Sequence, residues 1–272
     1  MPRKAPIAMP PPLIAPGGIG LGGVLRGAAP WIVFYATLFF AARALGPRLF
    51  STCAKMTPAD RSYWAASVAS VVNCLVLVPM AAAASAALPL LSRDAPFTIN
   101  SPLSTSCCCA MVGYTLYDLA PLLYHRAEWG GVGMYLVHHV CTVLSWGITA
   151  ASGYSHALSV PVLFLETTGP FVNARWFLSQ HGYKDTKLYL ANGIAMFLSF
   201  FALRVVFNWG LAITRFWLQY EAFFGTQPTY VIASILLFYP INLLLQLMWF
   251  QKILKGILAL LSGGGSKKKK AT

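Results

Sequence analysis

Apolar runs of about twenty residues recur along this chain, long enough for a helix to cross the ~30 Å hydrocarbon core of a bilayer. Hydropathy places seven of them, at about 30 to 47, 63 to 91, 107 to 125, 131 to 151, 156 to 178, 188 to 213 and 229 to 261. The runs are continuous rather than alternating, which favours helices over a transmembrane barrel, because only these two structures satisfy every backbone polar group in lipid. With 57% hydrophobic and 10% charged residues in 272, and a mean hydropathy of +0.64, the expected fold class is an all-α integral membrane protein with about seven transmembrane helices. The second and last runs exceed a straight crossing and should tilt or project. Pro79, Pro89, Pro161, Pro170 and Pro240 mark expected kinks.

Residues 1–29 are rich in Pro, Gly and Ala and read as a flexible lumenal tail; 30–261 read as the transmembrane domain, and 262–272 as a cytosolic Gly/Lys tail. The formal net charge of +13 does not point to nucleic acid, because the basic residues lie between apolar runs and at the last positions. One side of the membrane takes Arg43, Arg48, Lys55, Arg61, Arg126, Lys184, Lys187, Lys252, Lys255 and Lys267 to Lys270, while the other takes only Arg3, Lys4, Arg26, Arg93 and Arg215. The positive-inside rule then puts the carboxyl end in the cytosol. There, Lys269 and Lys270 resemble the dilysine retrieval signal of endoplasmic reticulum membrane proteins, which implies coat proteins as partners; an electrostatic tail on anionic lipid is the alternative.

Polar residues inside the spans carry the functional argument, because ionisable groups at that depth avoid lipid and face a protein interior. His138 and His139 are adjacent in the fourth run, roughly 10 to 12 Å from its cytosolic end at 1.5 Å per residue. Asp118 reaches a similar depth on the antiparallel third run, so a contact between Asp118 and an imidazole is expected. In the fifth run Glu166, Gly169 and Asn173 share one helical face while Arg175 points away, towards the cytosolic interface. Arg204 in the sixth run is deep enough to pair with Glu166, and that pair reads equally as structural.

Several chemistries lack their residues. Five histidines, outside clustered boxes, are too few for a di-iron hydroxylase, and no zinc-type His-Glu-x-x-His, Gly-x-Ser-x-Gly elbow or Walker loop is present, so neither a metal nor a cofactor is expected. The six cysteines show no ligand or disulfide-framework spacing and read as small apolar residues, although Cys107 to Cys109 could be acylated near a membrane edge. A basic imidazole in a dry, lipid-accessible cavity suits acyl transfer, taking a proton from an attacking amine or hydroxyl or itself accepting the acyl group while a carboxylate orients it. Asp118 is the candidate for that orienting role.

Tyr117-Asp118, His138-His139-x-x-Thr142, and the run from Glu166 through Pro170, Asn173 and Arg175 to Leu178 together resemble the TLC-domain family over about residues 30 to 258. That family includes ceramide synthases, and the chain looks nearest to the TLC domain-containing protein 4 group. The resemblance implies that six helices form a barrel around a lipid cavity, that His138 and His139 correspond to the working histidines, and that a fatty acyl or sphingoid-type lipid is substrate with acyl-CoA as co-substrate. Where ceramide synthases carry a His-Asp-x-x-Asp run, Glu166-Thr167-Thr168-Gly169-Pro170 supplies one carboxylate and no histidine, which argues against ceramide synthesis itself. The reading reached is a lipid-holding protein of the endoplasmic reticulum membrane, acting in lipid metabolism or homeostasis. The alternatives are a nonenzymatic lipid sensor or carrier and a partner in membrane-protein trafficking.

Overall fold

The computed structural model describes residues 12–261, and among them no strand occurs. Six helices are long and apolar enough to cross a membrane: α1 (Gly20–Leu49), α2 (Pro58–Ala87), α3 (Pro102–Tyr124), α4 (Val132–Ser152), and those here called α6 (Lys187–Leu218) and α7 (Thr229–Leu261). The fifth apolar run, α5 (156–180), lies between the same two ends of the bundle but is not one regular helix. It is an α-helix over His156–Val162, a 3-10 stretch over Leu163–Thr168 and an α-helix over Gly169–Gln180. Pro170 has no N–H to donate to the Glu166 carbonyl, and the Gly169 N–H takes that carbonyl instead, one residue closer, which is the 3-10 pattern.

Local chemistry sets several helix boundaries. Thr57 accepts from the Asp60 N–H at 3.1 Å ahead of Pro58, and Ser101 with Ser104 forms a capping box ahead of Pro102. α4 is bracketed by Gly131 and Gly153, each at φ +76°, a backbone state that glycine enters without penalty.

Helices α2 to α7 enclose the interior, and α1 lies outside against α2 and α3. Small residues permit that close approach: a Cβ on Gly113 would stand 2.6 Å from the Ala28 carbonyl oxygen. Below this contact the Tyr35 ring stacks on Tyr117, with centroids 6.0 Å apart, and its hydroxyl donates to Asn73 Oδ1 at 3.0 Å.

The first helix starts at Gly20, well before Pro30, and the expectation of a free tail is corrected for residues 12–29. The Ala15 N–H donates to the Ser152 carbonyl at 2.7 Å, Asn100 Nδ2 donates to the carbonyls of Pro16 and Gly153 at 2.8 Å each, and the Tyr154 hydroxyl donates to that of Pro12 at 2.8 Å. Composition hid this order because it comes from tertiary hydrogen bonds rather than helical periodicity. Residues 1–11 and the tail at 262–272, including Lys269 and Lys270, lie outside the described residues. Arg215 helps close the same end of the bundle. Buried near the end of α6, it donates to the carbonyls of Leu90, Ser92 and Ala95 at 2.9, 3.0 and 3.1 Å and so ties down the α2–α3 connection.

Candidate functional site

A cavity of about 350 Å³ occupies the middle of the six-helix ring and extends to the end where α3 stops and α4 begins. Its volume falls in the range of roughly 300–1,000 Å³ usual for small-ligand sites. Every helix of the ring supplies polar lining: Ser70 from α2, Asp118 from α3, His138 and His139 from α4, Glu166 and Asn173 from α5, Arg204 from α6 and Lys252 from α7. Tyr63, Tyr114, Phe200 and Trp249 fill the wall between them.

The two histidines take different roles. His139 is buried, its Nδ1 lies 2.7 Å from the Tyr135 carbonyl oxygen and its Nε2 lies 2.8 Å from Asp118 Oδ2. A carbonyl oxygen only accepts, so Nδ1 carries the proton; Nε2 and the carboxylate then share a further proton or form an imidazolium–carboxylate pair. Either way both nitrogens of His139 are engaged. His138 makes no hydrogen bond among the described residues. Its ring meets Trp249 edge to face at 5.3 Å between centroids, and it lines both the main cavity and a smaller one of about 40 Å³ that runs between α4, α5 and α7. The Asp118 contact expected for one imidazole therefore falls on the histidine with no nitrogen to spare. The 100° step between adjacent helical residues is what sends the neighbour elsewhere.

Glu166 and Arg204 meet at 3.4 Å. The guanidinium also donates to Thr168 Oγ1 at 2.7 Å and to Gln246 Oε1 at 3.1 Å, which joins α5, α6 and α7. Arg204 sits in a π-helical stretch, Phe200–Phe207, a local widening that often marks functional positions. Asn173 Nδ2 donates to Ser70 Oγ at 3.1 Å and to the Gly169 carbonyl at 2.9 Å, fixing α5 on α2.

The remaining sequence candidates lie apart from this network. Thr142 is buried on the smaller cavity, and Tyr117 packs towards α1 with its hydroxyl unpartnered among the described residues. Arg175 leaves the Glu166 face and lays its guanidinium over the Tyr189 ring, 4.3 Å from the centroid. Sequence reasoning missed Ser70, Thr168, Gln246, Trp249 and Lys252. Their places in the site depend on how neighbouring helices are rotated and in what register they pack, which hydropathy does not report. Among the described residues no three of His, Cys, Asp or Glu gather as a metal site.

The ring that builds this cavity coincides with a sequence relationship. The TLC domain matches residues 63–255, from the first turns of α2 almost to the end of α7. TLC domain-containing protein 4-B of Danio rerio is 29% identical over 157 residues, covering 56% of this chain and 57% of its own length. The protein of the same name from Xenopus laevis is 30% identical over 152 residues, covering 53% and 55%. TLC domain-containing protein 4-A of Xenopus laevis aligns over 239 residues at 27% identity, covering 78% and 84%. The first two alignments thus span little more than half the length of those relatives. No solved structure matches. With the family match extending over the cavity-forming ring, this multi-pass, all-α membrane protein belongs to the TLC-domain family.

Proposed function

We propose that the barrel holds the acyl chain of a membrane lipid and that His138 serves acyl transfer within it, in lipid metabolism or homeostasis. The observation that carries this is the unpartnered imidazole of His138 on a mostly apolar cavity, next to a histidine whose two nitrogens are both engaged. A free imidazole nitrogen can attack an acyl carbonyl, expel the donor's leaving group and hold the acyl group as an N-acylimidazole, which an amine or hydroxyl then takes over, returning the imidazole. Alternatively it removes the proton of that amine or hydroxyl as the bond to the acyl carbon forms. His139, Asp118 and the Tyr135 carbonyl brace the helix turn that presents it. Acyl-CoA is the co-substrate that resemblance to ceramide synthases suggests, and a fatty acyl or sphingoid-type lipid is the acceptor class. Mass spectrometry of the purified protein, incubated with palmitoyl-CoA, tests this reading. An acyl group on His138, discharged by added amine or hydroxyl lipid, is expected; intact lipid with no adduct and no turnover would instead make the protein a carrier.

The same reading places the protein in the endoplasmic reticulum with its carboxyl terminus in the cytosol. It rests on the thirteen-to-five distribution of Lys and Arg and on Lys269 and Lys270. Replacing both lysines by Ser is expected to release a tagged full-length protein to later compartments, and unchanged localisation would leave only an electrostatic tail.

A further inference from the structure

We infer that Arg175 and Lys252 form a subsite for a phosphate-bearing headgroup at the mouth of the barrel. This rests on the reading of the barrel as a lipid-holding cavity, and not on whether acyl transfer occurs.

A third cavity, of about 280 Å³, lies between α5, α6 and α7, lined by Arg175, Gly193, Met196, Lys252, Ile253 and Gly256 among others. It shares Met196, Lys252 and Ile253 with the main cavity, so a molecule seated in one reaches the other. Its charged lining is two cations and no acid. In the main cavity each carboxylate has a partner, Asp118 with His139 and Glu166 with Arg204, so neither is left to compensate Lys252. Among the described residues no carboxylate comes within ion-pair distance of Arg175 or Lys252.

The other two interior arginines provide the comparison. Arg204 has Glu166, Thr168 and Gln246, and Arg215 has a cage of backbone carbonyls. Each makes at least three hydrogen bonds within the protein, which offsets the withdrawal of a guanidinium from water. Arg175 is half-buried, makes no hydrogen bond among the described residues, and is held only by the Tyr189 ring beneath it. The ring supports the cation and leaves its N–H groups without a protein acceptor, and a guanidinium in that state can grip a phosphate with two parallel bonds. Gly193 keeps the place clear: a Cβ there would stand 2.8 Å from the guanidinium NH1 nitrogen. Among the described residues the Lys252 ammonium makes one polar contact, to Met134 Sδ at 3.5 Å, and it can turn to a second phosphate oxygen. Two like charges on one apolar-walled cleft repel each other, and a bound anion removes that cost.

The phosphate could belong to an acyl-CoA or to a glycerophospholipid, whose chains would pass by way of Met196 and Ile253 into the main cavity. Binding of palmitoyl-CoA, dioleoylphosphatidate and neutral dioleoylglycerol to the full-length protein in maltoside micelles separates these sources. Arg175→Gln with Lys252→Gln is expected to weaken one or both phosphate probes by about tenfold or more while leaving dioleoylglycerol unchanged. Loss for palmitoyl-CoA alone assigns the mouth to an acyl donor, and loss for phosphatidate alone assigns it to a phospholipid. Arg175→Lys with Lys252→Arg, which keeps both charges, should recover most of the affinity and shows that the loss is not misfolding. The inference is overturned if the neutral probe weakens equally, or if both phosphate probes bind the Gln pair as they bind the wild type. His138→Asn in the same assay keeps the two questions apart, because it should leave phosphate binding intact even where it removes an acyl adduct.

Discussion

Replacing His138 by Asn is expected to abolish acyl-adduct formation and to reduce any acyl transfer by at least about a hundredfold, with abundance and melting temperature close to wild type. Asn keeps the size and polarity of the side chain and loses the basic nitrogen. His138 has no hydrogen bond to lose among the described residues, so folding has little stake in it beyond the edge-to-face contact with Trp249. His139→Asn should behave in the opposite way. It takes the imidazole from between the Asp118 carboxylate and the Tyr135 carbonyl, and Asp118, with a side chain 20% exposed, is left partly desolvated without its partner. Loss of stability of about 1–3 kcal/mol follows, as lowered thermal stability in detergent. Full activity in His138→Asn, measured by lipid profiling in cells lacking the natural protein, would remove His138 from the chemistry. Equal loss of expression from both changes would make the histidines braces and leave the barrel as a carrier.

The contrast between these two histidines shows what the sequence could and could not disclose. Depth was readable: residue counts along two antiparallel runs put Asp118 level with the His138–His139 pair, and the 2.8 Å contact bears that geometry out. Which histidine turns to Asp118 depends on the rotation of α4 about its axis, and hydropathy does not encode it when both faces of a helix are apolar. The same limit hid the partners of Arg204. Glu166 was legible because it shares a face with Gly169 and Asn173, but Thr168 and Gln246 come from the 3-10 break in α5 and from the register of α7. Six long spans emerged cleanly, since length and apolarity alone define them. The start of α1 at Gly20 did not, because Pro30 looks like a first helical residue and in fact lies inside the helix. A proline in a membrane helix is tolerated where neighbouring side chains and local adjustment satisfy the freed carbonyl.

The Glu166–Arg204 pair carries the largest expected effect on stability. Its side chains are only 17% and 11% exposed, so each charge relies on the other and on neighbouring dipoles rather than on bulk water. Removing one partner strands the other, which in buried pairs costs about 3–5 kcal/mol. Glu166→Ala leaves the guanidinium with Thr168 and Gln246, whereas Arg204→Ala deprives Glu166, Thr168 and Gln246 together, so the arginine change should be the more severe. The arginine change removes both hydrogen bonds from Arg204 to α5, whereas the glutamate change removes one, and regular hydrogen bonding is interrupted in both helices next to these residues. In the double Ala variant no charge is left unpaired, and its loss should fall below the sum of the single losses by about 1–3 kcal/mol. Thermal unfolding of the four proteins in one detergent measures this coupling, and strictly additive losses would show that the 3.4 Å contact contributes nothing. Glu166→Gln gives the finer distinction. It retains a hydrogen-bond acceptor for Arg204 while removing the negative charge, so a loss close to that of Glu166→Ala would mean that charge compensation, rather than hydrogen bonding, keeps the guanidinium in the barrel wall.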